Sequence, residues 1–141
     1  MAVTEANRKL IERYYNALWN RWDFDLVDQL ISPSIMFHGS VGVTVEGLDG
    51  FRNYMRLIRS AFPDFHNTVE ELVAEDDRVA ARLTYRGTHR GTIFGVAPTG
   101  QAIAYEGLAL FRIAGGKIVE GYVLGNMVHL LGQLGIKVSA S

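Results

Sequence analysis

RLTYRGTHRGTIFGVAPTG, running from Arg82 to Gly100, is the stretch on which the reading of this chain turns. It opens as a strand, with β-branched and aromatic residues alternating with arginines, and then breaks into a loop carrying Gly87, Gly91, Gly95, Pro98 and Gly100. The strand resumes at Gln101 and continues through AIAYEGLALFRI, Ala102 to Ile113. Two long strands joined by a glycine-punctuated excursion predict the centre of an antiparallel sheet.

Working outward, Glu75-Asp76-Asp77 supplies a hairpin turn between this stretch and a preceding strand over Phe65 to Ala74. On the other side, Ala114-Gly115-Gly116 turns the chain into a last strand from Lys117 to Leu124. Upstream, Leu10, Ile11, Tyr14, Tyr15, Leu18 and Trp19 recur at three- and four-residue spacings, which predicts an amphipathic helix over Thr4 to Asn20. Phe24 to Ile31 reads as a two-turn helix stopped before Pro33, and Ser34 to His38 as a short strand. Phe51, Tyr54, Met55, Ile58 and Phe62 form the apolar stripe of a helix from Leu48 to Ala61, with Arg52, Arg56 and Arg59 facing out. Met127 to Leu134 predicts a closing helix ended by Gly135, and the tail from Lys137 to Ser141 is expected to fray. Helices segregated from antiparallel strands indicate an α+β fold, with a strongly bent sheet wrapped around the N-terminal helices in the shape of a cone. The whole chain, 1–141, is expected to be one domain.

Composition narrows the function classes. Hydrophobic residues at 48% and charged residues at 21% suit a globular domain. With 14 basic and 15 acidic side chains the net charge is −1, and the arginines are dispersed, so a nucleic-acid partner is not expected. The absence of cysteine excludes a thiolate nucleophile, a disulfide scaffold and a Cys-ligated metal. The first residues carry charges where a leader would need an apolar run, and no window is long and apolar enough for a membrane span, so a cytoplasmic protein is expected. The four histidines, at 38, 66, 89 and 129, lack metal-ligand spacing and no carboxylate cluster accompanies them, so no metal site is expected. No glycine-rich loop leads from a strand into a helix as nucleotide sites require.

Several spaced motifs agree with a known family. Gly87-x-His89-x-Gly91, Gly95-x-x-Pro98-Thr99-Gly100, Arg112-Ile113 with Gly116-Lys117-Ile118-x-Glu120, Gln133-Leu134-Gly135 and the Phe62-Pro63-Asp64 turn resemble the SnoaL-like polyketide cyclase or ester cyclase family, over about Asn7 to Gly135. The resemblance implies the cone-shaped α+β barrel of the nuclear-transport-factor-2-like superfamily, a homodimer or larger homo-oligomer packed through the outer face of the sheet, and no cofactor. It also implies intramolecular aldol or related enolate chemistry on a hydrophobic oxygenated molecule, driven by an aspartate on the last strand. Here the matching position is Val123, the supporting histidine is Ala109, and a Trp-Asp pair found in many relatives reads Gly125-Asn126. Neither valine nor alanine moves a proton, and asparagine hydrogen-bonds but cannot act as a base.

The fold hosts many reactions, so the remaining groups matter. His38 and His89 are the candidate catalytic residues, since histidine titrates nearest neutrality. The resemblance places His38 at the mouth of the cone; His89, within the loop motif, serves either as a base or to hold the loop. Tyr15, Trp19, Tyr54, Phe62, Tyr105, Val123 and Asn126 are the candidate substrate-binding residues. Gly107, Ala109, Gly121, Val123 and Gly125 fall at alternate positions of neighbouring strands, and if they face inward they leave a wide apolar cavity without the family's base. Two functions stay open: a cofactor-independent enzyme of the cyclase type, or a non-catalytic binder of an apolar small molecule. An isomerase or epoxide hydrolase is a further variant, the latter needing an Asp-Arg-Asp set around Arg82 whose aspartates are not evident.

Overall fold

The structure, a computed structural model, describes residues 2–40 and 42–137. The expected fraying at 138–141 lies outside the described residues.

The first helix, α1 (Ala2–Arg13), does not run on as an α-helix to Asn20 but widens into a π-helical segment, Tyr14–Trp19. The widening shows in the bonds that follow it, Asn20 N–H to the Tyr15 carbonyl and Asp23 N–H to that of Leu18, each spanning five residues. Its effect is to bury Tyr14, Tyr15, Leu18 and Trp19 together, four large side chains in six residues. A 3₁₀ turn (Phe24–Leu26) and α2 (Val27–Leu30) replace the expected two-turn helix, and β1 (Ile31–His38) follows directly. A three-residue strand, β2 (Thr44–Glu46), which the sequence reading did not foresee, folds back against β1.

Helix α3 (Gly47–Ala61) buries Phe51, Tyr54, Met55 and Ile58 of the stripe read from the sequence, with Ala61 added and Phe62, the stripe's last member, buried at the C-cap. Its last turn is tied to the loop after β4, because Arg90 N–H and Gly91 N–H both donate to the Ala61 carbonyl. That approach demands glycine: a Cβ at Gly91 would stand 1.9 Å from the Ser60 carbonyl oxygen.

The long strands β3 (His66–Glu75), β4 (Arg78–Thr88), β5 (Ala102–Ala114) and β6 (Lys117–Gly125) form the expected meander, and α4 (Met127–Gln133) closes the described chain. The full sheet is six-stranded, in the order β2-β1-β6-β5-β4-β3, curved and unclosed. One pairing departs from an all-antiparallel sheet: β1 lies parallel to β6, Phe37 beside Gly121. The ladder shifts register between Ile31 and Met36, and Pro33 sits in that gap, where its missing N–H leaves no bond unmade. The concave face carries the core, in which Phe111, Phe51, Tyr14, Ile11 and Leu83 are fully buried. In the resulting α+β domain the sheet bends over the N-terminal helices and α3.

Candidate functional site

Alternation along the strands decides which side chains enter the concavity. Asn67 on β3, Tyr85 on β4 and Tyr105 on β5 are register partners in one row across the sheet, and all three are buried. The rows beyond hold Gly107 opposite Gly125, Ala109 opposite Val123, and Phe111 opposite Gly121. The π segment lowers Tyr14, Tyr15 and Trp19 onto this face, and α3 adds Tyr54 and Ile58. With Phe37, Ser40 and Phe65 these residues bound a chamber.

The alternate set of small residues therefore faces inward as expected, and the carboxylate position is valine, but the chamber is not wide. Its volume is about 30 Å³, the room of about two water molecules. Rings occupy the space that the glycines leave. A Cβ at Gly107 would lie 2.5 Å from the Tyr85 ring, one at Gly121 3.0 Å from Phe37, and one at Gly125 3.0 Å from Tyr105. The rings also pack on each other, Tyr85 with Tyr105 at 4.9 Å and Tyr14 with Tyr15 at 4.9 Å between centroids.

Five of the lining residues are tyrosines, at 14, 15, 54, 85 and 105, and no Asp, Glu, His, Lys or Arg joins them among the described residues. Burial pushes all five phenols up, Tyr54 to about 12 with Ser40 holding it back in part. Each is a neutral O–H at neutral pH, able to donate a hydrogen bond and unable to act as a base. The Tyr15 hydroxyl is buried with no hydrogen-bond partner.

Of the residues singled out in the sequence, Tyr15, Trp19, Tyr54, Tyr105 and Val123 line the chamber together. The others lie elsewhere. His38 follows Phe37, which faces in, so its own ring falls on the outer face. There it stacks on Tyr122 at 4.2 Å, with Nδ1 at 3.1 Å from Thr44 Oγ1 and Nε2 at 3.8 Å from Glu120 Oε2. His89 is fully buried but inside the β4–β5 loop. Thr99 N–H donates to its Nδ1 at 3.2 Å and the Thr99 hydroxyl lies 2.9 Å from the same atom, while its backbone bonds Gln101 and Gly100. These bonds tie the ring into the loop, and its Nε2 is buried without a hydrogen-bond partner. Phe62 packs against His89 and Phe65 beneath the loop. Asn126 caps α4, its Oδ1 accepting from His129 N–H at 3.2 Å. Glu106 points outward next to inward Tyr105 and is exposed. Arg82 is exposed too, paired with Glu71 at 3.4 Å, so no acidic pair flanks it in the chamber.

Sequence reasoning missed Tyr85, Tyr14, Ser40 and Asn67 as lining residues, and with them Phe37, Ile58 and Phe65. The strand stretch at 82–86 held the signal for Tyr85, since it stands between Thr84 and Arg86 at the inward phase of the alternation. Among the described residues no three His, Asp or Glu gather as metal ligands.

A curved sheet bent over helices, with a tyrosine-rich chamber between them, defines the class as an α+β cone of the nuclear-transport-factor-2-like superfamily. The chain belongs to the SnoaL-like polyketide cyclase family, whose model matches residues 9–134. It is 31% identical over 116 residues to the aklanonic acid methyl ester cyclase AcmA of Streptomyces galilaeus, a match spanning 80% of this chain and 76% of AcmA. AclR of the same organism, a candidate hydroxylase, is 33% identical, with a TM-score of 0.83 over 98% of this chain and 90% of its own. IdmH of Streptomyces antibioticus, a candidate polyketide cyclase, is 29% identical, with a TM-score of 0.79 over 92% of this chain and 99% of its own.

Proposed function

We propose that this chain is a cyclase-type enzyme that binds a hydrophobic, carbonyl-bearing small molecule in the chamber and stabilises its enolate by hydrogen bonds from neutral phenols. The observation that carries the reading is the buried, unpartnered hydroxyl of Tyr15. An orphaned hydroxyl costs about 1–3 kcal/mol in the empty chamber, and a ligand carbonyl offers the missing acceptor. Because charge grows on that oxygen as an enolate forms, the same bond strengthens towards the transition state. The proposed step needs neither metal nor organic cofactor. With Val123 in place of a carboxylate, the proton is removed by water or by a basic group of the substrate itself.

A ligand of this kind is larger than the chamber, so binding displaces the rings of Tyr85 and Tyr105 from Gly107 and Gly125. The second reading, a binder without turnover, is favoured by the pairing of Ala109 with Val123 where the family carries its acid-base pair. The bicyclic ketone 2-tetralone separates the two. Quenching of tryptophan fluorescence reports binding, and loss of its α-proton signals in deuterated water reports enolisation. Accelerated exchange that falls about 10- to 1,000-fold in Tyr15→Phe supports the enzyme. Binding without exchange supports the binder. No binding of this or related fused-ring ketones removes both.

In the same proposal the protein acts as a homodimer or larger homo-oligomer through the outer face of the sheet. Val73, Leu108, Leu110, Tyr122 and Leu124 are exposed there, a contiguous apolar surface of the kind that marks an interface. The pairs Arg82–Glu71 and Arg112–Glu120 flank it. Both signs of charge at one rim suit a twofold contact, which sets a patch against its own copy.

A further inference from the structure

Asn67 is 3% exposed and lines the chamber, and its side-chain amide makes one hydrogen bond, from Nδ2. Its orientation is fixed from outside the sheet by Asn20. The Asn67 backbone N–H donates to Asn20 Oδ1 at 2.8 Å, and Asn20 Nδ2 donates to the Asn67 carbonyl at 2.9 Å. Those two bonds determine which end of the Asn20 amide is oxygen. Asn67 Nδ2 then donates to the same Asn20 Oδ1 at 3.2 Å, which determines the Asn67 amide in turn. Its oxygen must point the other way, and it accepts no hydrogen bond from any described residue. Every other polar side chain of the lining is a hydroxyl, which both donates and accepts, or the Trp19 indole, which only donates. Asn67 Oδ1 is the lining's one pure acceptor, held in a single direction.

From this we infer that Asn67 is a specificity-determining residue, and that the preferred ligand carries a hydroxyl donor as well as a carbonyl acceptor: a hydroxylated aryl ketone rather than the bare ketone. The inference rests on the reading that the chamber takes a carbonyl-bearing molecule. In it, Tyr15 donates to the ligand carbonyl and Asn67 Oδ1 accepts from the ligand hydroxyl. A site built to meet a hydroxyl discriminates against the analogue lacking it, because the acceptor in the lining is then left without the donor it is aimed at. Asn20 is a positioning residue, whose side-chain hydrogen bonds go to Asn67.

The test uses acetophenone and its 2-, 3- and 4-hydroxy isomers, titrated against the wild-type chain and Asn67→Leu with fluorescence and calorimetry. Leucine fills the same space, and both bonds between Asn20 and the residue-67 backbone survive. The wild type is expected to bind at least one hydroxy isomer about tenfold more tightly than acetophenone. In Asn67→Leu that preference falls to unity. If the wild type binds acetophenone and all three isomers alike, the inference is overturned. It is overturned equally if Asn67→Leu keeps the preference. If none of the four binds to the folded chain, the reading of the chamber fails and takes this inference with it, an outcome distinct from binding without preference. Should Asn67→Leu not fold, Asn67→Ala carries the same comparison, and the wild-type selectivity alone still decides the first point.

Discussion

The ring of Tyr85 lies directly over Gly107, so close that a Cβ at 107 would stand 2.5 Å from Cε2 and 3.0 Å from the phenol oxygen. The two residues sit on adjacent strands, one row apart on the same face. The missing side chain at one position is the room for the ring at the other. Gly107→Ala is expected to displace the Tyr85 ring towards Tyr105 and destabilise the fold by about 1–3 kcal/mol, the usual cost of overpacking. Urea unfolding measures it. Combining Gly107→Ala with Tyr85→Leu is expected to recover most of the loss relative to Tyr85→Leu alone, since the clash is pairwise. An additive double mutant would mean that the strain lies in the backbone and not against the ring.

The five chamber tyrosines make the protein sensitive to alkali. Burial raises their folded-state pKa above the ordinary value near 10, Tyr54 to about 12. A raised folded value means that the native state holds protons which the unfolded chain has released. The stabilisation is complete below pH 10 and falls as pH climbs beyond it. Each group costs about 1.4 kcal/mol per pH unit in that window, and five together cost about 7, comparable with a whole domain's stability. Alkaline titration should therefore show these phenolates appearing together with the loss of circular dichroism. Tyr122 is exposed on the outer face, and the hydrogen bond it donates to Glu120 Oε2 raises its pKa as well. Phenolate absorbance from five tyrosines with the dichroism intact would contradict the burial.

Much of the architecture was legible because it is written in short-range chemistry. The turns at Asp76-Asp77 and Gly115-Gly116 carry the left-handed φ that tight hairpins need, and Asp, like Gly, accepts it. Phe51 to Ile58 shows helical spacing plainly. Tyr15, Trp19, Tyr54, Tyr105 and Val123 were legible as walls by size and phase. The rest depends on contacts far apart in sequence. No local pattern announces that β1 runs parallel to β6, and β2 is only three residues long. The π segment preserves apolar spacing while changing which tyrosines turn inward, so an α-helical wheel misses it. Asn67 carries no local signal, because its partner, Asn20, lies 47 positions away. His38 was misplaced for a different reason. Its neighbour Phe37 already claimed the inner face, and alternation then requires the histidine to face out.

Asp64 ties the turn after α3 to the end of β4. Its Oδ1 accepts from Thr88 N–H and its Oδ2 from the Thr88 hydroxyl, both at 2.7 Å. Partial burial raises its pKa, but the two Thr88 donors outweigh that and hold it below the ordinary carboxylate value. A lowered folded value contributes stability above the unfolded pKa, and that contribution disappears as pH drops through the folded one. Asp64→Asn offers an NH2 where one donor expects an oxygen. It is expected to lose about 0.5–1 kcal/mol at pH 7, the site being exposed. The gap between variant and wild type should narrow as the wild type is acidified below pH 4. Thermal melts at several pH values measure this, and a gap independent of pH would show that the carboxylate charge plays no part.

Leu108 and Leu124 face each other across β5 and β6 on the outer side of the sheet, 61% and 78% exposed. With Leu110, Tyr122 and Val73 they present an exposed apolar surface of the kind that marks an interface. If two copies cover it, the patch is self-complementary, and a charge placed at its centre meets the same charge, or its own apolar surround, across the twofold axis. Leu124→Glu is therefore expected to convert a dimer to a monomer. The fold should be unchanged, because the side chain makes no inward contact and the chamber lies on the opposite face. Sedimentation velocity at micromolar concentration reads the state, and ligand binding by the monomer reads the chamber. A wild type that sediments as a monomer would refute the interface. A variant that stays dimeric would move it to another surface, the nearest alternative being the exposed face of α3 with Arg56 and Arg59 over Trp22 and Phe24.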